Sequence, residues 1–206
     1  MARVLDKGGI LLAFIMGVLI TAYGGWEYLA LMLFFFLLAI VVTRYEHETK
    51  RDMGIYEHER GWENVLSNGF LPTILAVASP FIGAIPYIAC VAAVTADKFG
   101  SELGVLDRGK PISLETFQPV KPGVSGAVTA MGTVASLAGA TAIGLGAFFL
   151  FDINATAAFL IGLAGLGGSV VDSVFGVLEE RGIGTKGTTN FICSIAGAAL
   201  GYIFIK

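Results

Sequence analysis

The sequence predicts an all-α, polytopic membrane protein that forms a single integral membrane domain over residues 1–206. Hydrophobic residues make up 55% of the chain and charged residues only 14%, proportions far from those of an average soluble domain. Most of its apolar stretches are long enough to cross roughly 30 Å of hydrocarbon as helices. The chain also contains 28 glycines, concentrated in the last three apolar stretches, which favours helices that pack closely in lipid.

Seven membrane spans are predicted along the chain. The first is not interpreted as a cleavable signal peptide, because Gly24 and Gly25 lead directly into a second apolar run. The third is the shortest and contains Pro72. Hydropathy places the spans at about residues 9–23, 27–43, 66–79, 81–97, 124–150, 154–178 and 189–205.

Lysine and arginine predict the orientation of the chain. With a cytoplasmic N-terminus, every lysine and arginine except Lys206 lies on the cytoplasmic side, as the positive-inside rule requires. The connections on the other side, around Gly24, Ser79 and Phe151, are short and contain neither residue type. We therefore expect an integral protein of the cell membrane with its active site on the cytoplasmic side. A net charge of −3 without a basic patch gives no indication of nucleic-acid binding.

Two carboxylates occur inside or at the end of predicted spans. Asp172 follows Asn154 by about 18 residues, roughly 27 Å along a helix, and apolar residues follow it. Asp97 reaches a similar depth on the fourth span, which runs in the same direction. A carboxylate inside a span is a functional candidate by default. The structural alternative is that Asp172 pairs with a lysine or caps a neighbouring helix.

A degenerate internal repeat relates spans four and five to spans six and seven. In each half, a helix with an aspartate is followed by a loop and then by lysine, glycine and a hydroxyl before the next helix. A glycine-led helix N-terminus with a lysine suits phosphate oxygens, and adjacent carboxylates suit Mg²⁺. The alternative is a snorkelling lysine with a flexible cap. The repeated residues are Lys121, Gly123 and Ser125 in the first half, and Lys186, Gly187, Thr188 and Asn190 in the second.

A third polar cluster lies where span three begins. In "RGWENVLSNG", Arg60, Asn64 and Asn68 follow one another at four-residue intervals, so they share one helix face. An arginine and two amides suit a phosphate or a nucleotide base. The alternative is a solvated helix at the membrane boundary.

Four segments carry a family resemblance. "RGWENVLSNG", "TADKFGSELG", "KPGVSGAVTAMG" and "GGSVVDSVFG" resemble successive motifs of the integral membrane family that contains transmembrane protein 19 and plant and cyanobacterial phytyl-phosphate kinase. The resemblance runs from about Arg60 to the C-terminus. It implies phosphoryl transfer from a nucleotide, CTP in the phytyl pathway, to a prenyl monophosphate. The sequence is also distantly similar to CTP-dependent phytol and dolichol kinases. It departs from the family at two places. Lys98 stands where threonine is expected, and "GVLEE" follows Asp172 where the family often has an ending that contains glutamine.

Together these observations predict an Mg²⁺-dependent prenyl-phosphate kinase. Its partners would be a nucleoside triphosphate, with CTP favoured, and a prenyl phosphate lipid; homo-oligomer formation is left open. No protein nucleophile is needed, since phosphoryl transfer rests on positioning and charge neutralisation. The predicted roles are metal binding or catalysis for Asp97, Glu102 and Asp172, phosphate binding for Lys121, Gly123, Ser125, Lys186 and Thr188, and substrate or nucleotide contact for Arg60, Asn64, Asn68 and Asn190.

Two alternatives to this function remain. One is a transporter or lipid-handling membrane protein, in which Asp172 and glycine-broken helices would form a substrate pathway. The other is a CTP-dependent kinase that acts on a prenol, as phytol and dolichol kinases do.

Overall fold

The computed structural model describes residues 5–54 and 61–205 and confirms an integral membrane helical bundle. Within these residues the chain forms eight helices and one two-stranded sheet. Six of the described helices, all except α3 and α5, are long and apolar enough to cross a membrane. The elements are α1 (Lys7–Gly24), α2 (Trp26–Arg44), α3 (His47–Asp52), α4 (Trp62–Ile82), α5 (Ile85–Gly104), β1 (Ile112–Ser113), β2 (Ala127–Val128), α6 (Ala130–Leu150), α7 (Ala155–Glu180) and α8 (Lys186–Phe204).

The seven long helices correspond in order to the seven predicted spans, but their ends differ. α4 has 21 residues and continues through Pro72 and Pro80, so the span predicted to be shortest is a full-length helix. α6 begins at Ala130 rather than near residue 124. Thr129 caps it, because its hydroxyl accepts a hydrogen bond of 2.9 Å from the Gly132 N–H. The residues before Thr129 form β2, which pairs with β1.

α5 is the central helix of the bundle. It packs against α2, α4, α6, α7 and α8, and every residue from Pro86 to Ala96 is buried. Its last turns carry Asp97, Lys98 and Glu102. These charges lower its hydropathy, and the neighbouring helices separate the first part of α5 from lipid.

Glycines on α7 and α8 allow these helices to approach α5. A Cβ atom added at Gly168 of α7 would lie 2.6 Å from the Cβ of Ala93 and 2.9 Å from the Cys193 carbonyl oxygen. Gly197 and Gly201 of α8 face Ala93 and Ala89 in the same way. Small residues at these crossings allow close backbone packing, as in other helix pairs in lipid.

The two ends of the bundle differ in character. At one end, the Tyr87 hydroxyl donates a 2.6 Å hydrogen bond to the Tyr28 carbonyl oxygen, and the Tyr28 ring packs edge-on against Phe151 at 5.0 Å. At the other end, α3 contacts α5 through Lys50 and Glu102, and the long loop between α5 and α6 contacts the end of α7. The charged connections therefore gather at one end, opposite the aromatic cluster.

This arrangement predicts which positions a membrane-impermeant thiol reagent can reach from one side. After both buried cysteines are replaced, single cysteines at Arg51, Thr116 and Ile183 should be labelled from the same side of sealed vesicles. A cysteine at Asp152 should be labelled only from the other side. Protection of Thr116→Cys under conditions that label the other two would contradict the shared face.

Candidate functional site

A pair of aspartates lies at the centre of the candidate site. Asp97 of α5 and Asp172 of α7 lie side by side, close enough for one carboxyl group to hydrogen-bond to the other, with Lys186 nearby. Asp172 Oδ1 is buried and has no hydrogen-bond partner among the residues that the structure describes. Both carboxylates line a cavity of about 590 Å³. The structure thus brings together the two acidic residues that the sequence placed at equal depth.

The third predicted acidic residue, Glu102, belongs to an ion-pair cluster at the edge of the same cavity. Its carboxylate contacts Lys50 Nζ at 2.9 Å and also pairs with Lys98 one turn away on α5. Lys50 is only 1% exposed and donates a second hydrogen bond, 2.9 Å long, to the Val42 carbonyl oxygen. Two lysines therefore balance the charge of Glu102, and a metal-binding role for this residue stays a prediction.

The donor set near Asp97 and Asp172 suits a metal ion that takes few protein ligands. In the described ranges, 5–54 and 61–205, no group of three or more His, Cys, Asp or Glu side chains is arranged to hold one. Mg²⁺, however, usually takes one or two protein carboxylates and completes its shell with substrate phosphates and water. The two aspartates, one with a buried oxygen that lacks a partner, fit that requirement.

The loop between α5 and α6 covers the cavity and is held to the end of α7. The Ser125 N–H donates a 2.7 Å hydrogen bond to Glu180, and its hydroxyl donates one of 3.2 Å to Glu179. Gly126 has a φ of +72°, and a Cβ there would lie 2.6 Å from the Val177 nitrogen. Only glycine suits this contact. Gly123 and Ser125 line the cavity, but as part of this loop rather than at the start of α6.

Two further contacts fasten this loop. Arg181 donates hydrogen bonds of 2.9 and 2.6 Å to one oxygen of Glu115. Asp107 accepts hydrogen bonds from the backbone N–H groups of Gly109, at 2.9 Å, and Met131, at 3.0 Å. These two donors, Gly109 first, hold the pKa of Asp107 below its usual range. The loop is therefore attached to both α6 and α7.

Two of the three residues predicted at the start of α8 line the cavity, and the third does not. Lys186 is the first residue of α8, directly after the capping residue Thr185, and it lines the cavity together with Thr189 and Asn190. Thr189 donates a 3.3 Å hydrogen bond to Glu179. Thr188 is exposed, does not line the cavity, and contacts the hydroxyl of Thr185 at 3.2 Å.

Of the remaining predicted residues, those that the structure describes do not line the cavity. Asn68 donates hydrogen bonds to the carbonyl and side-chain oxygens of Asn64, at 2.8 and 3.1 Å, so the two share one helix face as predicted. Asn190 in turn donates to the Asn68 side chain at 3.5 Å, which links α4 to α8. Lys121 is exposed and does not line the cavity. Arg60 lies outside the described residues.

Several cavity residues were not anticipated from the sequence. Glu179 follows Asp172 by seven residues, two helical turns, and this spacing could have identified it. Ser136 and Ser169 form a buried hydroxyl contact of 3.2 Å between α6 and α7. Lys50 had no local signal, because its partner Glu102 is 52 residues away in the sequence.

Sequence comparison places these residues in a family. The family model for integral membrane protein DUF92 matches residues 1–197. The chain belongs to the DUF92 family. It is 39% identical over 208 residues to an uncharacterized membrane protein of Methanocaldococcus jannaschii, with 98% of this chain and 86% of the relative covered.

Two further relatives match a smaller share of the chain. Protein PGR of Arabidopsis thaliana is 33% identical over 206 residues, which cover 82% of this chain and 69% of that protein. An uncharacterized membrane protein of Synechocystis sp. is 31% identical over 141 residues, with 64% and 55% covered. No solved structure matches the chain.

The buried ion pair predicts a stability difference between neighbouring lysine and arginine residues. Lys50→Ala should lower the free energy of unfolding by about 1–3 kcal/mol, because it removes one of the two lysines that pair with Glu102 and the hydrogen bond to the buried Val42 carbonyl oxygen. Arg51→Ala should change it by less than about 0.5 kcal/mol, since Arg51 is exposed and its contact with Asp52 is 3.8 Å long. Chemical or thermal unfolding in detergent measures the stability of both variants. Equal effects of the two substitutions would contradict a stabilising role for the buried Lys50–Glu102 ion pair.

Proposed function

We propose that this protein is an Mg²⁺-dependent kinase that transfers a phosphoryl group from a nucleoside triphosphate, preferably CTP, to a prenyl monophosphate. The product would be the prenyl diphosphate. The observation that carries this proposal is the Asp97–Asp172 pair with Lys186 beside it, in a cavity at one end of a membrane bundle. Membership of an integral membrane family supports a site that a lipid substrate can reach.

The chemistry that the site must supply is charge neutralisation and alignment. The acceptor phosphate oxygen forms a bond to the γ-phosphorus, and the bond between that phosphorus and the β–γ bridging oxygen breaks, which releases the nucleoside diphosphate. Asp97 and Asp172 would hold Mg²⁺, which supplies positive charge to the phosphate oxygens. No protein nucleophile takes part.

The start of α8 is suited to bind a phosphate group. The Lys186 ammonium adds a positive charge near the aspartates, and the first turn of a helix offers backbone N–H groups and the positive end of its dipole. Thr189 and Asn190 add polar side chains on the cavity wall. We assign the triphosphate or the acceptor phosphate to this part of the cavity.

The distribution of polar residues favours an enzyme over a transporter. The charged residues that line the cavity lie at one end of the bundle, while Tyr28, Tyr87 and Phe151 pack together at the other end. A transporter needs a polar path that can open to both sides. A kinase whose substrates both arrive near one membrane boundary needs only one polar end.

The direct test is a phosphoryl-transfer assay on purified protein in detergent with Mg²⁺, CTP or ATP, and a series of prenyl monophosphates. Wild-type protein should form the diphosphate. Asp97→Asn and Asp172→Asn should each reduce turnover at least about a hundredfold while they leave the unfolding temperature near that of wild type. Full activity in both variants would remove the metal-site assignment, and unfolding of both would favour a structural role.

The two lysines of the predicted repeat provide a matched comparison. Lys186→Gln should raise the apparent KM for CTP or prenyl phosphate about ten- to hundredfold. The reason is that a charge-assisted contact contributes roughly 1.5–3 kcal/mol. Lys121→Gln should have little effect, because Lys121 is exposed and outside the cavity. The same kinetic assay measures both variants.

The free prenyl alcohol distinguishes the remaining functions. It should be a poor substrate, because it lacks the acceptor phosphate for which we propose Mg²⁺ and the start of α8 as binding groups. Efficient phosphorylation of the alcohol would indicate a prenol kinase. Flux of a solute in liposomes without nucleotide dependence would indicate a transporter.

A further inference from the structure

We propose that the cavity opens sideways into the membrane between α6 and α7, and that the apolar chain of a lipid phosphate enters through this opening. The proposal rests on the proposed function for the identity of the phosphate-bearing lipid. It adds the route and resting place of the lipid chain.

The contact between α6 and α7 is tight along one part of the pair. A Cβ added at Gly165 would lie 2.7 Å from the Cβ of Ala140, and one at Gly162 would lie 3.1 Å from the Thr141 hydroxyl. Closer to the loop-bearing end, Ser136 and Ser169 still touch at 3.2 Å. These contacts close the space between the two helices over the part of the bundle that lies away from the charged loops.

Beyond the serine contact, residues of both helices line the cavity. Thr133 lies one turn before Ser136 on α6, and Ser173 lies one turn after Ser169 on α7. Both line the cavity, as does Val170. Space therefore lies between α6 and α7 at the depth of Asp172, where the two helices would otherwise continue to pack.

Two of these lining residues also lie on the outer faces of their helices. Val170 is 51% exposed and shares a face of α7 with Leu163 and Val174, which are also exposed. Thr133 is exposed and shares a face of α6 with Leu137. Outward-facing apolar side chains of a membrane bundle contact lipid. Because Val170 and Thr133 line the cavity and face outward, the cavity reaches the lipid-facing surface there.

The cavity wall changes in character along this route. Asp97, Asp172 and Lys186 supply charge to the cavity wall, while the hydroxyls of Thr133 and Ser173 and the apolar side chain of Val170 line it near the opening. This order matches an amphiphile whose phosphate lies inward and whose chain extends into the bilayer. A water-soluble substrate would gain nothing from an opening on the lipid side.

A photoreactive long-chain prenyl phosphate, with a diazirine in the chain segment next to its phosphate, tests the route without any need for turnover. After illumination in bilayers, peptide mapping should show labelling around Thr133 and Val170, and an excess of geranylgeranyl phosphate should reduce it at least about fivefold. Labelling of the lipid-facing α2 residues Leu37 and Val41 should not respond to the competitor. The proposal would be overturned if the competitor reduced labelling at Thr133 and Val170 no more than it reduced labelling at α2.

A pair of tryptophan variants tests the route in the kinase assay. Val170→Trp should lower kcat/KM for geranylgeranyl phosphate relative to dimethylallyl phosphate about tenfold, because the indole fills the opening that only the long chain needs. The matched control is Val174→Trp, one turn away on the same face and outside the cavity, which should leave this ratio within about twofold. Equal ratios in the two variants would overturn the proposal.

The two experiments separate this proposal from the proposed function. Competed labelling in a protein that transfers no phosphate would support the lipid route and reject the kinase. The opposite outcome is phosphoryl transfer in a protein whose labelling does not respond to geranylgeranyl phosphate and whose kcat/KM ratio is unchanged by Val170→Trp. That outcome would support the kinase and reject the route.

Discussion

The close approach of α7 to α5 is the contact on which the candidate site depends. Gly168 and Ala93 meet where a side chain on α7 would collide with α5. Asp172 and Asp97 each follow that contact by four residues, so they project from the same faces one turn later. The two carboxylates therefore meet because the helices touch just before them. A larger residue at position 168 would separate the aspartates as well as the helices.

The positions of the long helices were predictable because a backbone surrounded by lipid has no water to bond with. Every buried N–H and C=O group in a span must be paired within a helix, so hydropathy alone located seven long helices. The start of α6 was predicted wrongly because the small and apolar residues before Thr129 have the composition of a helix start. What prevents a helix there is the left-handed backbone of Gly126 and the pairing of β2 with β1, a partner about fifteen residues earlier. The hydroxyl of Thr129 was the local signal for the true start.

The roles of individual polar residues were less predictable than their positions. Lys98 and Glu102 are four residues apart on one helix, so their ion pair could be expected from spacing. The buried Lys50 that shares Glu102 could not, because the contact depends on how α3 folds back onto α5. Asn64 and Asn68 have the shared face that their spacing predicted, yet Asn68 donates to Asn64 and accepts from Asn190, and neither Asn64 nor Asn68 lines the cavity. Spacing determines which side chains share a face, whereas tertiary packing determines what that face meets.

The cavity has two unlike sides, and this asymmetry bears on how two substrates could meet at one carboxylate pair. Lys50, Lys98 and Glu102 line the side formed by α3 and α5, where a polar nucleotide arriving from water would meet charged groups. Near its surface, the side between α6 and α7 is lined by the hydroxyls of Thr133 and Ser173 and by Val170, which faces the surrounding lipid. Under the proposed function, each substrate would approach through the side that matches its own polarity. Both phosphate groups would then reach Asp97 and Asp172 without any opening at the aromatic end of the bundle, so the tight packing of Tyr28 against Tyr87 is compatible with turnover.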